Sequence, residues 1–190
     1  MPSNELGSTL LALARQTITQ ALQAATPNSA SAAWTDDAHG ALAEPGATFV
    51  TLTQRGQLRG CIGTLEAWRP LREDVQANAL AAALRDPRFA PLCTHELALT
   101  RVEVSLLSST TPMVFEHETD ALNQLRPGID GVVLTCGPYR STFLPQVWEQ
   151  LPHPTDFLAH LKQKAGLRPR FWSAEVQLAR YTVTKWKEQP

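Results

Sequence analysis

The sequence is poor in the residues that several classes of protein require. It has 3 cysteines in 190 residues, and none of them belongs to a C-x-x-C pair. An odd number of dispersed cysteines does not build a disulfide framework, so we expect a reducing compartment, the cytoplasm. The histidines and cysteines show none of the spacings that are typical of zinc sites, and we expect no metal.

The sequence also has no large excess of basic or acidic residues and no long apolar run. The chain has 17 Lys and Arg against 18 Asp and Glu, a net charge of -1. Because this balance gives no bulk attraction to nucleic acids or anionic bilayers, we expect neither as a partner. The longest purely apolar run, 79–84, is far too short to span a membrane. Glycine-rich phosphate loops are missing too, and no cofactor is expected.

Hydrophobic periodicity predicts helices and strands in an irregular order. Helices are predicted over 8–25, 70–86, 120–126 and 157–165. A hairpin is predicted over 48–65, and further strands over 102–106, 132–135 and 176–183. The segment 26–45 is predicted to be a loop that Trp34 ties down. This order favours an α+β fold with a mixed or antiparallel sheet and packed helices. We expect one domain over 8–186, with flexible termini at 1–7 and 187–190.

The segment 58–64, which reads Leu-Arg-Gly-Cys-Ile-Gly-Thr, is the sharpest functional signal in the chain. If it is a strand, alternation places Arg59 and Cys61 on one face, about 6.6 Å apart along the strand. A guanidinium at that distance would favour a nucleophilic thiolate, and the flanking glycines would let a ligand approach. Cys61 and Arg59 are therefore candidate catalytic residues.

A packing role for this segment is the main alternative. Free cysteine is among the most buried residue types, and Gly60 and Gly63 would also permit close packing. A thiol catalyst usually needs a histidine in reach, and none of the 5 histidines has a spacing that brings it to Cys61. Asp130, in the sequence Gly-Ile-Asp-Gly, is either a polar site residue or an ordinary turn former.

Three blocks of sequence together resemble the AMME-syndrome critical-region protein family. They are 58–64, then Asp-Pro-Arg-Phe at 86–89, then 102–107, in the family's order and spacing. Further blocks at 128–132, 144–148 and 164–167 resemble its bacterial branch, the AmmeMemoRadiSam system A proteins. The similarity extends from about residue 10 to residue 186.

The resemblance implies a two-part α+β unit, with a larger part, a smaller α/β part and a cleft between them. It implies no established activity. Bacterial relatives are commonly encoded with a Memo-type protein and a radical S-adenosylmethionine protein, which suggests a shared pathway. The dispersed cysteines argue against an iron–sulfur cluster in this chain. The residues expected to contact a ligand in the cleft are Arg59, Gly60, Cys61, Ile62, Gly63 and Asp130.

Three functions follow as hypotheses. The first is a binding or accessory protein that handles a small molecule or a protein segment for those two partners. The second is a hydrolase or transferase with Cys61 as its nucleophile, activated by Arg59 and by Asp130 or a histidine. The third is a structural scaffold in which the motif only packs two parts of the fold together.

Overall fold

The structure is a computed structural model that describes residues 3–23 and 37–189. Within these residues the five α-helices are α1 (Asn4–Gln23), α2 (Asp37–Ala43), α3 (Leu71–Leu84), α4 (Glu118–Gln124) and α5 (Pro154–Lys164). The strands are β1 (Ala47–Gln54), β2 (Gln57–Gly63), β3 (Thr100–Leu107), β4 (Thr111–Pro112), β5 (Gly131–Cys136), β6 (Tyr139–Phe143), β7 (Gln177–Tyr181) and β8 (Val183–Lys187). No helix among the described residues is long and apolar enough to span a bilayer.

The chain divides into two compact units, each with its own sheet. The first comprises Met1–Leu107 and Thr184–Pro190, and the second comprises Ser108–Val183. The strand order is β2-β1-β3-β8 in the first unit and β4-β7-β5-β6 in the second. Neighbouring strands pair antiparallel. The predicted α+β class with an antiparallel sheet is thus confirmed.

The core of the first unit lies between one face of its sheet and the helices α1 and α3. Val50 and Leu52 on β1 and Val102 and Val104 on β3 are fully buried in this core. Because successive side chains of a strand point to opposite faces, Thr51 points to the other face of the sheet. Cys61 pairs with Thr51 across β1 and β2 and shares that face.

The helix α3 forms where the sequence predicts it. Pro70 immediately precedes it, and Glu73 lies in its first turn, where a carboxylate complements the helix dipole. Its buried stripe includes Leu71, Val75 and Ala79, each four residues apart. These features together fix both the position of α3 and the face that it turns to the sheet.

The core of the second unit lies between one face of its sheet and α5. Val132 and Leu134 on β5 are fully buried together with Phe157 on α5. The indole of Trp148 stacks on the Phe157 ring, with centroids 3.7 Å apart. Trp148 and Phe157 therefore pack in the interior of this unit.

Secondary structure and contacts extend into both terminal segments, 1–7 and 187–190, within the described residues. The helix α1 begins at Asn4, inside the segment 1–7 that we expected to be flexible. Gly7 lies so close to the Trp186 indole that a Cβ atom there would overlap the ring. Glu188, beyond the last strand, donates its N–H to the Val102 carbonyl at 3.0 Å. Gly7 and Glu188 thus make contacts with residues distant in the sequence.

Two other predictions differ from the structure. The strand predicted over 176–183 corresponds to β7, which joins the second sheet, and reaches only the first residue of β8, which joins the first sheet and was not predicted. The loop predicted over 26–45 contains α2, whose Leu42 is buried in the core of the first unit. Trp34 lies outside the described residues.

Candidate functional site

Residues 58–63 of the motif segment lie on β2, at the edge of the first sheet, and Thr64 directly follows the strand. A Cβ atom on Gly60 would overlap the Ala82 carbonyl oxygen of α3. A Cβ atom on Gly63 would overlap the Phe49 ring of β1. Both glycines are therefore required by close packing, of a helix on β2 in one case and of a neighbouring strand in the other.

Arg59 occupies a β-bulge and points at a carboxylate. Leu52 pairs with Gly60 and Thr53 with Leu58, so that Arg59 is an extra residue in β2. Its Nε donates to Oε1 of Glu96 at 3.0 Å, and its Nη2 donates to Oε2 at 3.1 Å. The hydrogen bond from Arg59 lowers the pKa of the Glu96 carboxyl from 4.5 to about 2, against the opposing effect of burial.

This geometry differs from the simple alternation that we used to place Arg59 beside the Cys61 thiol. The third guanidinium nitrogen, Nη1, donates to the Ala90 carbonyl at 2.9 Å. All three nitrogens of Arg59 therefore bind the segment 90–96. These contacts do not support the hypothesis that Arg59 activates Cys61.

Cys61 is half-buried and lies beside a hydroxyl group. Its Sγ is 3.2 Å from Oγ1 of Thr51 on β1. Its N–H donates to Oδ2 of Asp86 at 2.9 Å, and its carbonyl accepts from Nη2 of Arg88 at 3.1 Å. The recorded partners of Cys61 in the described part of the chain include no histidine, the usual base for a thiol nucleophile.

Asp86 and Arg88 hold the outer edge of β2. They bind the N–H and the carbonyl of Cys61 as a neighbouring strand would, which closes the sheet edge at this point. Asp86 is buried, and it also accepts bonds from Nε and Nη2 of Arg88 at 2.9 and 2.7 Å. The hydrogen bond from Arg88 holds the pKa of the Asp86 carboxyl well below its usual range. The Asp-Pro-Arg-Phe block therefore supports the motif strand.

A buried polar network at the end of the motif was not predicted. The Asp74 side chain is fully buried on α3 and accepts from Thr48 N–H at 2.7 Å, from Thr64 Oγ1 at 2.5 Å and from Arg69 Nε at 2.9 Å. Asn78, one turn later, donates to Asp74 Oδ2 and to the Thr48 carbonyl, both at 2.9 Å. The available signal was that Asp74 and Asn78 fall on the apolar stripe of α3.

Asp130 lies in the second unit and binds its own loop. Its carboxylate accepts from the backbone N–H of Arg126 at 2.9 Å and from Nη2 of the same residue at 2.6 Å. Its carbonyl accepts from Nε1 of Trp148 at 2.7 Å. The bonds from Arg126 are those of a turn former, and the bond from Trp148 joins this turn to a residue 18 positions away.

Two cavities lie within single units. A cavity of about 470 Å³ in the first unit is bordered by the β1–β2 turn, and Leu58, Arg59 and Leu99 are among its lining residues. A cavity of about 580 Å³ in the second unit is lined in part by Phe115, Glu116 and Trp172. Among the described residues, no group of three or more His, Cys, Asp or Glu side chains could hold a metal ion.

A sequence model of the AMMECR1 family matches residues 11–186 of the chain. The chain belongs to the AMMECR1 family. This confirms the resemblance drawn from the blocks at 58–64, 86–89 and 102–107. The match includes the motif segment, the residues that bind it and Asp130.

Relatives of this AMMECR1-family chain are similar along most of its length. A protein from Methanothermobacter thermautotrophicus is 35% identical over 98% of this chain and 96% of its own length. A protein from Aeropyrum pernix is 40% identical over 80% of this chain and 68% of its own. An uncharacterized protein from Pyrococcus horikoshii, known from a crystal structure, has a TM-score of 0.75 and 30% identity, covering 97% of this chain and 92% of its own. None of these names states an activity.

Proposed function

We propose that this AMMECR1-family chain is a binding or accessory protein that docks a protein partner at the ends of β2. The partners proposed are a Memo-type protein and a radical S-adenosylmethionine protein, in the cytoplasm, as the resemblance to the bacterial branch suggests. Cys61, with Gly60, Ile62 and Gly63, remains a proposed contact residue. Arg59 and Asp130 are assigned instead to the internal contacts that they make.

The observation that carries this proposal is an exposed tryptophan held in a fixed place. Trp68, in the loop that follows β2, is 68% exposed. The guanidinium of Arg69 lies 4.7 Å from the centre of its ring, and Arg69 is itself bound to the buried Asp74. Tryptophan is enriched among the residues that dominate binding energy, and a side chain ordered in advance loses less entropy on binding.

Other exposed apolar side chains lie beside the same strand. Of the seven large hydrophobic side chains exposed in the described residues, four are at the ends of β2. We call these four the β2-edge surface: Leu58, Leu65, Trp68 and Leu99. Leu58 and Leu99 border one cavity at the start of β2, whereas Leu65 and Trp68 follow its end, so the surface consists of two exposed apolar pairs. Neighbouring exposed apolar side chains favour an interaction site, whereas single ones need no explanation.

A pull-down with purified proteins tests this proposal. The Memo-type and radical S-adenosylmethionine proteins of the same organism are each mixed with the full chain, with Trp68→Ser and with Leu65→Ser. We expect either variant to lower the affinity for a true partner by about tenfold or more, and Trp68→Phe to restore part of it. Val114→Ser is the matched control, since Val114 is 87% exposed but lies in the second unit. Equal binding by all variants would exclude this surface.

The alternative is an enzyme with Cys61 as its nucleophile. The contact between its Sγ and the Thr51 hydroxyl at 3.2 Å favours it, because an ordered thiol is one requirement of such a site. Alkylation followed by mass spectrometry distinguishes the two functions, with the exposed Cys93 as an internal reference. If the chain is a binding protein, the reagent should alkylate Cys61 no faster than Cys93. A rate at Cys61 more than about tenfold higher below neutral pH would favour the enzyme.

A further inference from the structure

The cavity of the second unit, which we call the C-terminal cavity, lies at the edge of the second sheet, next to the end of the short outer strand β4. The short β4 pairs with only Arg180 and Ala179 of β7. The N–H of Met113 then donates to the Leu178 carbonyl at 2.8 Å, and the chain continues into residues 114–116, which border the cavity. The cavity volume of about 580 Å³ is in the range of small-molecule sites.

One wall of the C-terminal cavity is aromatic. The rings of Phe115 and Trp172 are 5.7 Å apart and inclined at 51°, so they form an angled pair. Met113 and Val176 add aliphatic surface from the core of the unit. A wall of this kind binds an apolar body, and aromatic faces also attract cations, tryptophan most strongly.

The charge among the residues that line the C-terminal cavity is negative. Glu116 is the one ionisable side chain among its lining residues, and no lysine, arginine or histidine is among them. Within the described residues the Glu116 carboxylate makes no ion pair or hydrogen bond, whereas the nearby Glu118 binds Nζ of Lys162 at 2.6 Å. Lys162 lies 5.8 Å from the centre of the Trp172 ring, and Glu118 compensates its charge. The uncompensated charge at the cavity is therefore negative.

We propose that the C-terminal cavity binds a small molecule in which an ammonium group is attached to an aromatic or aliphatic body. The body would lie against Phe115 and Trp172, and the ammonium would pair with Glu116. Thr135 and Gln177, which also line the cavity, offer hydrogen-bonding groups to the same ligand. An anionic ligand is disfavoured because it would meet Glu116 without any cation to balance it. This site is independent of the β2-edge surface.

The test is a titration of the full chain with three probes of similar shape and different charge. Phenethylammonium, 2-phenylethanol and 3-phenylpropionate are added in turn, and binding is followed by nuclear magnetic resonance at the Trp172 indole N–H and the Thr135 amide. We expect phenethylammonium to bind at least about fivefold more tightly than 2-phenylethanol, a ratio within reach of one partly exposed ion pair. We expect 3-phenylpropionate to bind most weakly.

A charge variant separates this proposal from general hydrophobic binding. Glu116→Gln should reduce the affinity for phenethylammonium to that for 2-phenylethanol, while Glu149→Gln, an exposed control in the same unit, should leave the affinity unchanged. Phe115→Leu should lower the affinity for both probes.

Three results would overturn the proposal. The first is equal binding of the acid and the amine, and the second is an unchanged preference for the amine in Glu116→Gln. The third is the absence of any shift at Trp172 and Thr135 with phenethylammonium at about 10 mM, where even a weak ligand of this size occupies its site. A synthetic peptide with one lysine, titrated in parallel, shows whether the ammonium can also come from a side chain.

Discussion

At the scale of single residues, most of the motif is explained by contacts within the first unit. Gly60 and Gly63 make room for α3 and for Phe49, and Arg59 binds Glu96. The backbone of Cys61 is held by Asp86 and Arg88, its thiol lies beside the Thr51 hydroxyl, and the Arg88 guanidinium is within electrostatic reach of that thiol. A specific sequence motif can therefore be required largely by packing and by closure of a sheet edge.

The packing of Gly60 leads to the first prediction. Gly60→Ala should destabilise the protein by about 2–3 kcal/mol, because the new methyl group would overlap a helix carbonyl that cannot rotate away. Gly40→Ala is the matched control, since a Cβ atom there has no neighbour within 4 Å and alanine favours the helix α2. Urea unfolding measures both variants. Equal midpoints for Gly60→Ala and the wild type would show that α3 does not pack closely enough on β2 to exclude a methyl group.

The pair of Arg59 and Glu96 leads to a pH prediction. The folded pKa of Glu96, about 2, lies below its ordinary 4.5, so the pair stabilises the fold fully above about 4.5. This contribution is lost as the pH falls from about 4.5 toward 2. We expect Glu96→Gln to lower the free energy of unfolding by about 2 kcal/mol near neutral pH, and by much less at about pH 3.

Urea unfolding at a series of pH values measures this effect. Glu73→Gln serves as the control, because Glu73 is exposed on α3. An effect of Glu96→Gln that stays constant between neutral and acidic pH would mean that the Glu96 carboxylate does not depend on Arg59 for its charge.

At the scale of secondary structure elements, α3 shows how far the sequence alone could be interpreted. Its position follows from Pro70, from the acidic first turn and from the apolar spacing. The network of Asp74 and Asn78 could not be predicted, since Thr48 comes from β1 and Thr64 directly follows β2, and both meet α3 only in the folded unit. Polar residues on an apolar stripe indicate a buried network, but periodicity does not identify its partners.

The buried network leads to the third prediction. Asp74→Ala should lower the free energy of unfolding by about 3–5 kcal/mol, because it leaves the Arg69 guanidinium and the Thr48 N–H without their acceptor. The adjacent Glu73→Ala should cost less than about 1 kcal/mol, since that side chain is exposed. Thermal unfolding gives the difference, and amide exchange at Thr48 locates it. If Asp74→Ala does not fold, Asp74→Asn retains the shape and tests the charge alone. Matching stabilities for the variants at 73 and 74 would show that the network adds nothing to the fold.

The irregular features of the strands show where regular alternation does not place the side chains of the motif. The alternation that placed Arg59 beside Cys61 assumed a regular strand, and the bulge at Arg59 breaks it. The acceptor Glu96 is 37 residues away in the sequence, so no local spacing identifies it. The identity of the motif segment was predictable from its residues, but the partners of its side chains depend on tertiary contacts.

At the scale of the whole molecule, the first unit is completed by the last residues of the chain. The strand β8 returns to the first sheet after the whole second unit has been formed from 108–183. Trp186 packs on the core of the first unit, and Glu188 pairs with Arg15 of α1. The strand predicted over 176–183 corresponds to β7 and reaches only the first residue of β8, so β8 was not predicted. The change of sheet at Thr182 leaves no sign in hydrophobic periodicity.

This arrangement leads to the last prediction. The buried residues of the two units form separate cores, so a change in one core should loosen that unit first. Trp186→Ala should lower the stability of the first unit by about 1–3 kcal/mol, through lost contact with the core and with Gly7. Amide exchange should then accelerate in α1 and β3, while β5 and β7 keep their protection. Lys185→Ala, a change at the exposed neighbour, should accelerate neither set. Equal acceleration in both sets would instead mean that the units unfold together, and that the returning strand stabilises the molecule as a single cooperative structure.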